Sequence, residues 1–233
     1  GANPNMWGFV EAAADLKRRG VLGEIYYAEA EYIHDLRHLF AATPWRATYE
    51  PIKYCTHSLG PLLRLIPEDL EWAVCFDTGS HIEPGPGQHD AMAALFRTAS
   101  GVVVRVTISF INQYPGSEHR YRIYGTKGYF ERTPAYDGPG SARTLFRSAD
   151  SPGPARLVEL PVHEMPPRYA ANPDAAGHGG ADYALLDRFF AAIRGGHPSP
   201  IDMREGLRIS LPGLFAAESA RRGGALVRIE YPW

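Results

Sequence analysis

The spacing of apolar residues changes several times along the chain, and each change predicts a different element. Apolar residues recur at helical spacing after Asn3-Pro4, which suits a helix start, and stop at Gly20, so a first helix is predicted there. The next run, 24–33, is rich in β-formers and predicts a strand. Residues 34–55 follow neither period and are predicted to be irregular, and a short helix is predicted over 56–66.

From residue 70 to residue 162, apolar and polar residues alternate, which is the period of half-buried strands. Loops rich in Gly, Pro and Asp separate the runs without intervening helices, so neighbouring strands are predicted to be antiparallel. Gly125-Thr126-Lys127-Gly128 is predicted to form a turn between two strands. It lacks the full Gly-x-x-x-x-Gly-Lys-Ser/Thr pattern of a phosphate-binding loop, so no phosphate-binding role is assigned to it. The predicted strands cover 70–77, 90–98, 101–112, 119–125, 128–132, 143–147 and 156–162.

Two helices and a final strand are predicted after a loop rich in Pro, Gly and His. The first helix covers 182–194 with one apolar face, and Asp202 with Glu205 forms a capping-box pattern for the second. Residues 225–231 return as a strand. Because no repeat or linker-like boundary interrupts the chain, we predict one α+β domain over 1–233, with a large open, mostly antiparallel sheet and helices on one face.

Composition excludes several classes of partner. The net charge of −2 provides no field that would attract nucleic acid or an anionic membrane surface. No apolar run reaches the roughly 18–20 residues of a membrane span. The two cysteines, Cys55 and Cys75, are too few for a disulfide scaffold and suit a reducing compartment. We therefore expect a cytoplasmic protein.

The segment Tyr54-Cys55-Thr56-His57-Ser58-Leu59-Gly60-Pro61 holds the strongest candidate chemistry. If a helix begins near 54–56, Tyr54 and His57 share one of its faces because they are three positions apart. An imidazole titrates near neutral pH and a phenol can stabilise an alkoxide, so this pair suits proton transfer to and from a sugar hydroxyl. The alternative is a structural histidine that caps the helix or hydrogen-bonds in the core.

Further polar candidates lie before and after this segment. Trp45-Arg46 offers a flat apolar surface for a pyranose ring and a planar donor fork, although the tryptophan could equally pack under the loop. His34 and His38 are four positions apart, a spacing at which two histidines on one helix can bind a metal. This segment follows a strand and need not be helical, and a third ligand would have to come from a distant part of the sequence, so no metal is assigned. Asp35 and His178 are predicted pocket residues, with a flexible connector as the alternative around His178.

No segment of the sequence matches a dinucleotide-binding turn. A Gly-x-Gly-x-x-Gly turn between a strand and a helix is missing, and Gly85-Pro86-Gly87 has a proline where amides should face phosphate. We therefore predict no dinucleotide-binding domain in this chain and no NAD or NADP bound to it alone. The chain alone is predicted to be inactive with either cofactor.

Six ordered segments together carry a family resemblance: Gly23-Glu24-Ile25, 28–35, Trp45-Arg46, 54–61, 124–128 and 177–183. They resemble the C-terminal domain of the Gfo/Idh/MocA family of nicotinamide-dependent oxidoreductases over nearly the whole chain. The resemblance implies an N-terminal Rossmann domain for NAD or NADP, which is missing here. It also implies a small carbohydrate substrate and a homo-oligomer formed through the sheet.

The catalytic signature of this family pairs a histidine with an aspartate four residues earlier. His57 matches the histidine, but Lys53 stands at the position of the aspartate, which departs from the usual dehydrogenase signature. The Tyr-x-Thr-His-x-Leu-Gly-Pro form, with the later His-Gly-Gly segment, instead resembles a branch that includes NAD-dependent glycosidases of the α-N-acetylgalactosaminidase type. In that branch, Tyr54 and His57 would flank a sugar that NAD oxidises transiently.

The leading hypothesis is the substrate domain of an NAD(P)-dependent oxidoreductase that acts on a sugar, cyclitol or related polyol by hydride transfer. His57 is the predicted acid/base, and Tyr54 is its partner or an alkoxide stabiliser. The alternatives are a domain of an NAD-dependent glycosidase and a non-catalytic sugar-binding or oligomerisation module. The predicted substrate-binding residues are Lys53, Trp45, Arg46, Asp35 and His178.

Overall fold

The alternating segments of the chain form one nine-stranded sheet within the parts of the molecule that the structure describes. This structure is a computed structural model, and it describes residues 2–85, 87–111, 117–134, 142–150, 157–160, 162 and 177–233. Ends of the strands predicted at 101–112 and 156–162, and most of the loop that follows, lie outside the described residues. None of the helices in these ranges is both long and apolar enough to cross a membrane.

Helices and strands follow the predicted order. The helices are α1 (Gly8–Arg18), α2 (Trp45–Thr48), α3 (Thr56–Leu63), α4 (Ala181–Gly195) and α5 (Met203–Arg221). The strands are β1 (Ile25–His34), β2 (Leu70–Asp77), β3 (Met92–Thr98), β4 (Val103–Ser109), β5 (Ser117–Gly125), β6 (Gly128–Pro134), β7 (Ala142–Ser148), β8 (Val158–Leu160) and β9 (Val227–Arg228). Short 3-10 turns cover Asn3–Met6, Arg37–Leu39, Pro51–Tyr54 and Gly177–Gly180.

The predicted α+β class, with a large open and mostly antiparallel sheet, is confirmed. The strand order is β8-β7-β6-β5-β1-β4-β3-β2-β9. Among the strand pairs in the described residues, β1 with β4 is parallel and the others are antiparallel. The first strand of the chain therefore lies between two strands that come much later in the sequence.

Three predicted boundaries are wrong. The helix expected to start at Asn3-Pro4 starts at Gly8, because Trp7 is extended (φ −70°, ψ 144°) and its indole N–H donates to the His178 carbonyl at 3.0 Å. The irregular segment 34–55 contains α2 and two 3-10 turns. The last strand has two residues instead of the expected seven, since it pairs only with Trp72 and Ala73.

One face of the sheet is apolar and packs against the helices. Tyr121 of β5 lies in ring contact with Phe9 of α1 at 4.7 Å, and its hydroxyl donates to the His57 carbonyl of α3 at 2.7 Å. At the other end of the sheet, Ser219 of α5 accepts a hydrogen bond from the Cys75 N–H of β2 at 3.0 Å. These contacts hold α3 and α5 at fixed positions above the sheet.

The opposite face carries a ladder of ion pairs that no described helix covers. Glu29 accepts from Arg105 at 2.7 Å and from Arg122 at 2.8 Å, while Glu31 pairs with Arg105 at 2.8 Å and Glu131 with Arg122 at 3.2 Å. Burial opposes the ionisation of Glu29, but the hydrogen bonds from the arginines outweigh it and lower the pKa of this carboxyl group. The ion pairs compensate the charges of this ladder, so the middle of the open face is polar without a large net charge.

The turn at Gly125-Thr126-Lys127-Gly128 has a structural role. A Cβ atom on Gly125 would lie 2.0 Å from the Leu22 carbonyl oxygen. The Lys127 N–H donates to that same carbonyl at 3.0 Å, and Thr126 Oγ1 accepts from the Glu24 N–H at 3.0 Å. The turn therefore holds the loop that leads into β1, and only glycine allows the backbone approach.

Candidate active site

Tyr54 and His57 lie side by side at the entrance to α3. The 3-10 turn Pro51–Tyr54 runs into this helix, and the two rings stack with centroids 4.4 Å apart and planes inclined by 17°. His57 Nδ1 lies 3.3 Å from Thr56 Oγ1. The Tyr121 hydroxyl also donates to the His57 carbonyl, so the main chain at His57 is held from the sheet below.

The ring of Tyr32 in β1 contacts the rings of this pair and of a further histidine. Its ring centroid lies 5.3 Å from Tyr54, 5.5 Å from His57 and 4.6 Å from His119 of β5. Its hydroxyl lies 3.2 Å from His34 Nδ1. We call His34, His57 and His119 the histidine cluster.

Burial keeps the histidine cluster neutral. Burial is the largest cause that lowers the pKa of His57 to about 4, followed by the nearby charge of His178. Burial also lowers the pKa of His34, and it holds the pKa of His119 well below the ordinary value of histidine. At neutral pH the cluster therefore presents uncharged imidazoles.

The phenols of the site are neutral as well. Burial raises the pKa of Tyr54 and of Tyr32, and the positive charge of Arg46 acts in the opposite direction on both. Arg46 is therefore a charged side chain that interacts electrostatically with both phenols. Neutral donors and acceptors on aromatic rings suit an uncharged, hydroxyl-rich ligand.

His57 lines an open cleft of about 600 Å³. Thr56 and His57 of α3 border it, together with Phe189 of α4, Ser210 of α5 and Asp202, the N-cap of α5. The volume lies within the range of roughly 300–1,000 Å³ that is usual for small-molecule sites. The cleft therefore combines the candidate catalytic imidazole with both apolar and polar walls.

Lys53 is engaged by a carboxylate. Its Nζ lies 2.5 Å from Glu50 Oε2, and Arg221 of α5 binds the same carboxylate at 2.5 Å. Burial opposes the ionisation of Glu50, but the hydrogen bonds from Lys53 and Arg221 outweigh it and lower the pKa of this carboxyl group. Through Glu50, Lys53 therefore links the 3-10 turn before α3 to α5. A substrate would have to compete with Glu50 for the Lys53 ammonium group.

Asp35, Trp45 and Arg46 are placed differently from one another. The Asp35 carboxylate binds Arg37 at 2.6 Å, and this hydrogen bond is the main cause that lowers the pKa of Asp35. Trp45 is 46% exposed, with the Arg46 guanidinium 4.3 Å above its ring. Of the three, Arg46 is the one whose charge reaches the Tyr54 phenol.

Structural contacts hold His178 in a left-handed backbone conformation. It has a φ of +47°, and it is the one residue other than glycine with positive φ in the described part of the chain. Its Nδ1 lies 2.6 Å from Asp182 Oδ2, and its carbonyl accepts from the Trp7 indole. Asn3 donates to the second oxygen of Asp182 at 3.2 Å.

Sequence reasoning missed four residues of this region. Tyr32 and His119 are register partners on neighbouring strands, and only the pairing of β1 with β5 reveals their contact. Trp7 contacts His178 across 171 positions of sequence, and Asp182 contacts it one helical turn later in the chain. The alternation of Tyr32 and His34 along one strand was the available signal, but it does not identify their partners.

No described group of three or more His, Cys, Asp or Glu side chains could hold a metal ion. A dinucleotide also fits poorly among these residues. Of the described turns that lead directly into an α-helix, Gly177–Gly180 before α4 is the glycine-rich one, and Asp182 occupies the first turn of that helix. A carboxylate at that position repels phosphate, so we assign no cofactor-binding residue to the described chain.

The family model for the GFO/IDH/MocA C-terminal domain matches residues 10–131, just over half of the chain. The chain belongs to this family. The resemblance read from the ordered segments is thereby confirmed, and the Tyr54–His57 pair lies within the matched residues.

Two sequence relatives of this GFO/IDH/MocA domain have glycoside hydrolase names. A "Glycosyl hydrolase family 109 protein" of Saccharopolyspora erythraea is 28% identical over 240 residues, which cover 89% of this chain and 50% of the relative. "Glycosyl hydrolase family 109 protein 3" of Phocaeicola vulgatus is 25% identical over 238 residues, which cover 82% of this chain and 43% of the relative. The chain thus spans about half the length of the curated relatives it matches.

Solved structures of similar fold are oxidoreductases. Levoglucosan dehydrogenase in complex with NADH and levoglucosan has a TM-score of 0.76 and 19% identity, covering 98% of this chain and 65% of that one. An inositol dehydrogenase homolog from Azotobacter vinelandii in complex with NADH and myo-inositol has a TM-score of 0.73 and 20% identity, covering 97% and 62%. At these identities the likeness shows that the GFO/IDH/MocA domain shares their fold.

Proposed function

We propose that this domain is the substrate-binding part of an NAD(P)-dependent oxidoreductase that acts on a sugar, cyclitol or related polyol by hydride transfer. The observation that carries the proposal is the imidazole of His57, which stacks on the Tyr54 ring and lines a cleft of about 600 Å³. Its neutral imidazole and phenol groups can hydrogen-bond to hydroxyls without requiring a charged ligand. Structural neighbours in complex with levoglucosan and myo-inositol support this substrate class.

The two rings of the pair take complementary roles. With a pKa of about 4, His57 is neutral at physiological pH and contributes a hydrogen bond to the reacting hydroxyl. The Tyr54 phenol stabilises the alkoxide that forms when this hydroxyl loses its proton. The acid/base role predicted for His57 thus narrows to that of a neutral hydrogen-bonding partner of the reacting hydroxyl.

We propose roles for the other predicted pocket residues as well. Arg46 donates to substrate hydroxyls near the phenols, and Trp45 offers its exposed ring to an apolar sugar face. Lys53 contributes a further donor by exchanging its bond to Glu50 for one to the substrate, and His178 offers its exposed ring as a hydrogen-bonding partner. Asp35 acts through Arg37, to which it is bound.

The cofactor is proposed to come from a nucleotide-binding domain of the same protein. The apolar face of α4 and the start of α5 are exposed beside the cleft, and Phe189 and Met203 belong to both the face and the cleft wall. The relatives are about twice as long as this chain, and the matching family model describes a C-terminal domain. We propose that the preceding domain, holding NAD or NADP, covers this face. The exposed residues are Leu186, Phe189, Phe190, Ile193 and Met203.

A glycosidase that uses the same cofactor is the second candidate. The specific observation in its favour is Lys53 at the position of the family aspartate, together with relatives named as glycosyl hydrolase family 109 proteins. The same Tyr54–His57 pair would flank the sugar in either reaction. The two functions differ in their products, because only the dehydrogenase changes the amount of reduced cofactor.

Product analysis of the complete protein tests both candidates. We expect net NADH or NADPH formation with at least one compound of a panel that includes levoglucosan, myo-inositol and glucose. Release of p-nitrophenol from p-nitrophenyl α-N-acetylgalactosaminide without net reduced cofactor would establish the glycosidase instead. Sugar binding by calorimetry with no turnover of either kind would overturn both and leave a non-catalytic module.

We also propose that a second copy packs on the open face of the sheet. This face is charge-compensated, and Leu95, opposite Arg105 in the register, is 50% exposed on it. An exposed leucine amid neutralised charges suits an interface core. Sedimentation velocity is expected to show an oligomer of this chain that Leu95→Glu shifts toward monomer. Leu214→Glu, at an exposed position of α5 in the helix layer on the other face, should leave it intact. A monomeric wild-type chain would contradict the proposal.

A further inference from the structure

Two of the histidines in the described site, His57 and His178, have opposite surroundings. His57 is buried among rings, and its Nδ1 contacts only the Thr56 hydroxyl among the described side chains. His178 has a side chain that is 64% exposed and bound to the Asp182 carboxylate at 2.6 Å. The domain therefore holds an exposed imidazole–carboxylate pair, while Lys53 stands at the position of the aspartate in the family signature.

Several independent contacts fix the geometry of this pair. The Trp7 indole holds the His178 carbonyl at 3.0 Å, and Asn3 holds the second oxygen of Asp182 at 3.2 Å. The positive φ of His178, +47°, is costly for a residue with a Cβ atom. Such strain persists only where the surroundings impose it, and it directs this side chain toward Asp182 one helical turn later.

The pair shares the environment of the Tyr54–His57 site. After burial, the charge of His178 is the next cause that lowers the pKa of His57, and it also acts on His34 and His119. Ring contacts connect the two regions, since Trp7 lies 5.1 Å from His119, which lies 4.6 Å from Tyr32. A ligand bound against His57 would therefore lie within the field of His178.

We propose that His178, oriented by Asp182, is the group that accepts the proton of the reacting hydroxyl, while His57 remains a neutral hydrogen-bonding partner. The proposal rests on the proposed function, and it holds for the dehydrogenase and the glycosidase alike. His178 would be a catalytic residue, and Asp182 a positioning residue that acts through it.

The transfer of the hydroxyl proton to His178 needs no group other than the substrate, His178, Asp182 and solvent. The O–H bond of the bound hydroxyl breaks, an N–H bond forms at His178 Nε2, and the electron pair stays on the oxygen as an alkoxide. Nδ1 faces Asp182 at 2.6 Å, so Nε2 is the nitrogen left for the substrate; no hydrogen bond within the described residues engages it. The carboxylate then balances the charge of the imidazolium, and solvent removes the proton from the exposed ring.

The pair has a structural alternative, since a carboxylate in the first turn of a helix also stabilises the helix dipole. A purely structural pair would affect folding but not the pH dependence of turnover. The charged or titratable groups that face His178 from neighbouring elements are Asp182 on α4, His57 on α3, His34 on β1 and His119 on β5.

A measurement that needs no turnover tests the geometry. Long-range ¹H–¹⁵N spectra of the complete protein are expected to show the neutral His178 ring protonated at Nδ1, and Asp182→Asn is expected to shift its tautomer equilibrium. Asp182→Glu should restore the wild-type pattern. A His178 ring whose tautomer equilibrium is the same in wild type and Asp182→Asn would overturn the proposal.

Kinetics of the complete protein test the chemistry. His178→Asn keeps a residue that tolerates the left-handed backbone, and kcat is expected to fall by about 10²–10⁴-fold, with a smaller change in KM. The limb of the kcat–pH profile that depends on His178 should disappear in this variant. His197→Asn is the matched control, because His197 is an exposed histidine beyond the end of α4, and it should retain wild-type kcat.

The outcomes separate this proposal from the proposed function. An active wild type with an equally active His178→Asn variant would overturn the role of His178 and leave the function intact. A wild type that turns over neither polyols nor the glycoside would overturn both. A folded His178→Asn variant, with the thermal transition of the control and a loss of kcat, would support the proposal.

Discussion

Replacing His57 with alanine is expected to lower kcat of the complete protein by about 10²–10⁴-fold. The substitution removes the imidazole that lines the cleft and leaves the Tyr54 phenol without the ring stacked on it at 4.4 Å. The hydrogen bond to the reacting hydroxyl and the position of the alkoxide stabiliser are therefore lost together. Steady-state kinetics with the best substrate of the polyol panel measure the effect.

His38→Ala is the matched control for this experiment. His38 is an exposed histidine of the 3-10 turn Arg37–Leu39, outside the ring contacts of the site that the structure describes. Its replacement should leave kcat within about twofold of wild type. A His57→Ala variant that folds as the control does and retains wild-type kcat would contradict the assignment of this cleft as the active site.

Replacing Gly125 with alanine is expected to destabilise the domain by about 3 kcal/mol, at the upper end of the usual cost of overpacking. The added Cβ would lie 2.0 Å from the Leu22 carbonyl oxygen and 2.8 Å from its carbonyl carbon. Both are backbone atoms, so no side-chain rotation relieves the overlap. The turn would have to separate from the loop before β1, breaking the Lys127 N–H to Leu22 hydrogen bond.

Equilibrium urea denaturation of this chain measures the change in the free energy of unfolding. Gly206→Ala is the control, because Gly206 lies inside α5 and its added Cβ would meet no atom within 4 Å. That variant is expected to be more stable by about 0.5–1 kcal/mol, since alanine favours a helix interior over glycine. Equal stability of Gly125→Ala and wild type would contradict this prediction, because it would show that the turn accommodates the added Cβ with no change in the free energy of unfolding.

The alternation of residues predicted the strands but not their neighbours. A period of two identifies a half-buried strand wherever it lies in a sheet. It carries no information about which strand pairs with which, so the parallel pairing of β1 with β4 was not predicted from the sequence. For the same reason His119 was not recognised as a site residue, although its own strand was predicted. Its contact with Tyr32 depends on the register of β1 with β5.

The local signals that succeeded were those with a short-range cause. Asp202 was recognised as a cap, and its side chain accepts from the Glu205 N–H at 2.8 Å. Tyr54 and His57 were expected side by side, and their rings stack. Trp7 was placed inside a helix, but a hydrogen bond to His178, 171 residues away, holds it in an extended conformation. Contacts at such separation override a helical pattern that only the neighbouring residues express.

The position of β1 in the sheet has a consequence for synthesis of the chain on the ribosome. This strand ends at His34, but its neighbours β4 and β5 end only at Ser109 and Gly125. At the usual rates of elongation, the nascent chain waits on the order of ten seconds before β1 can pair on both sides. Until then two unpaired edges and the apolar face that includes Tyr32 remain open to other chains. The strand at the centre of the candidate site is thus made first and completed late, which makes this segment the one that a chaperone would need to shield.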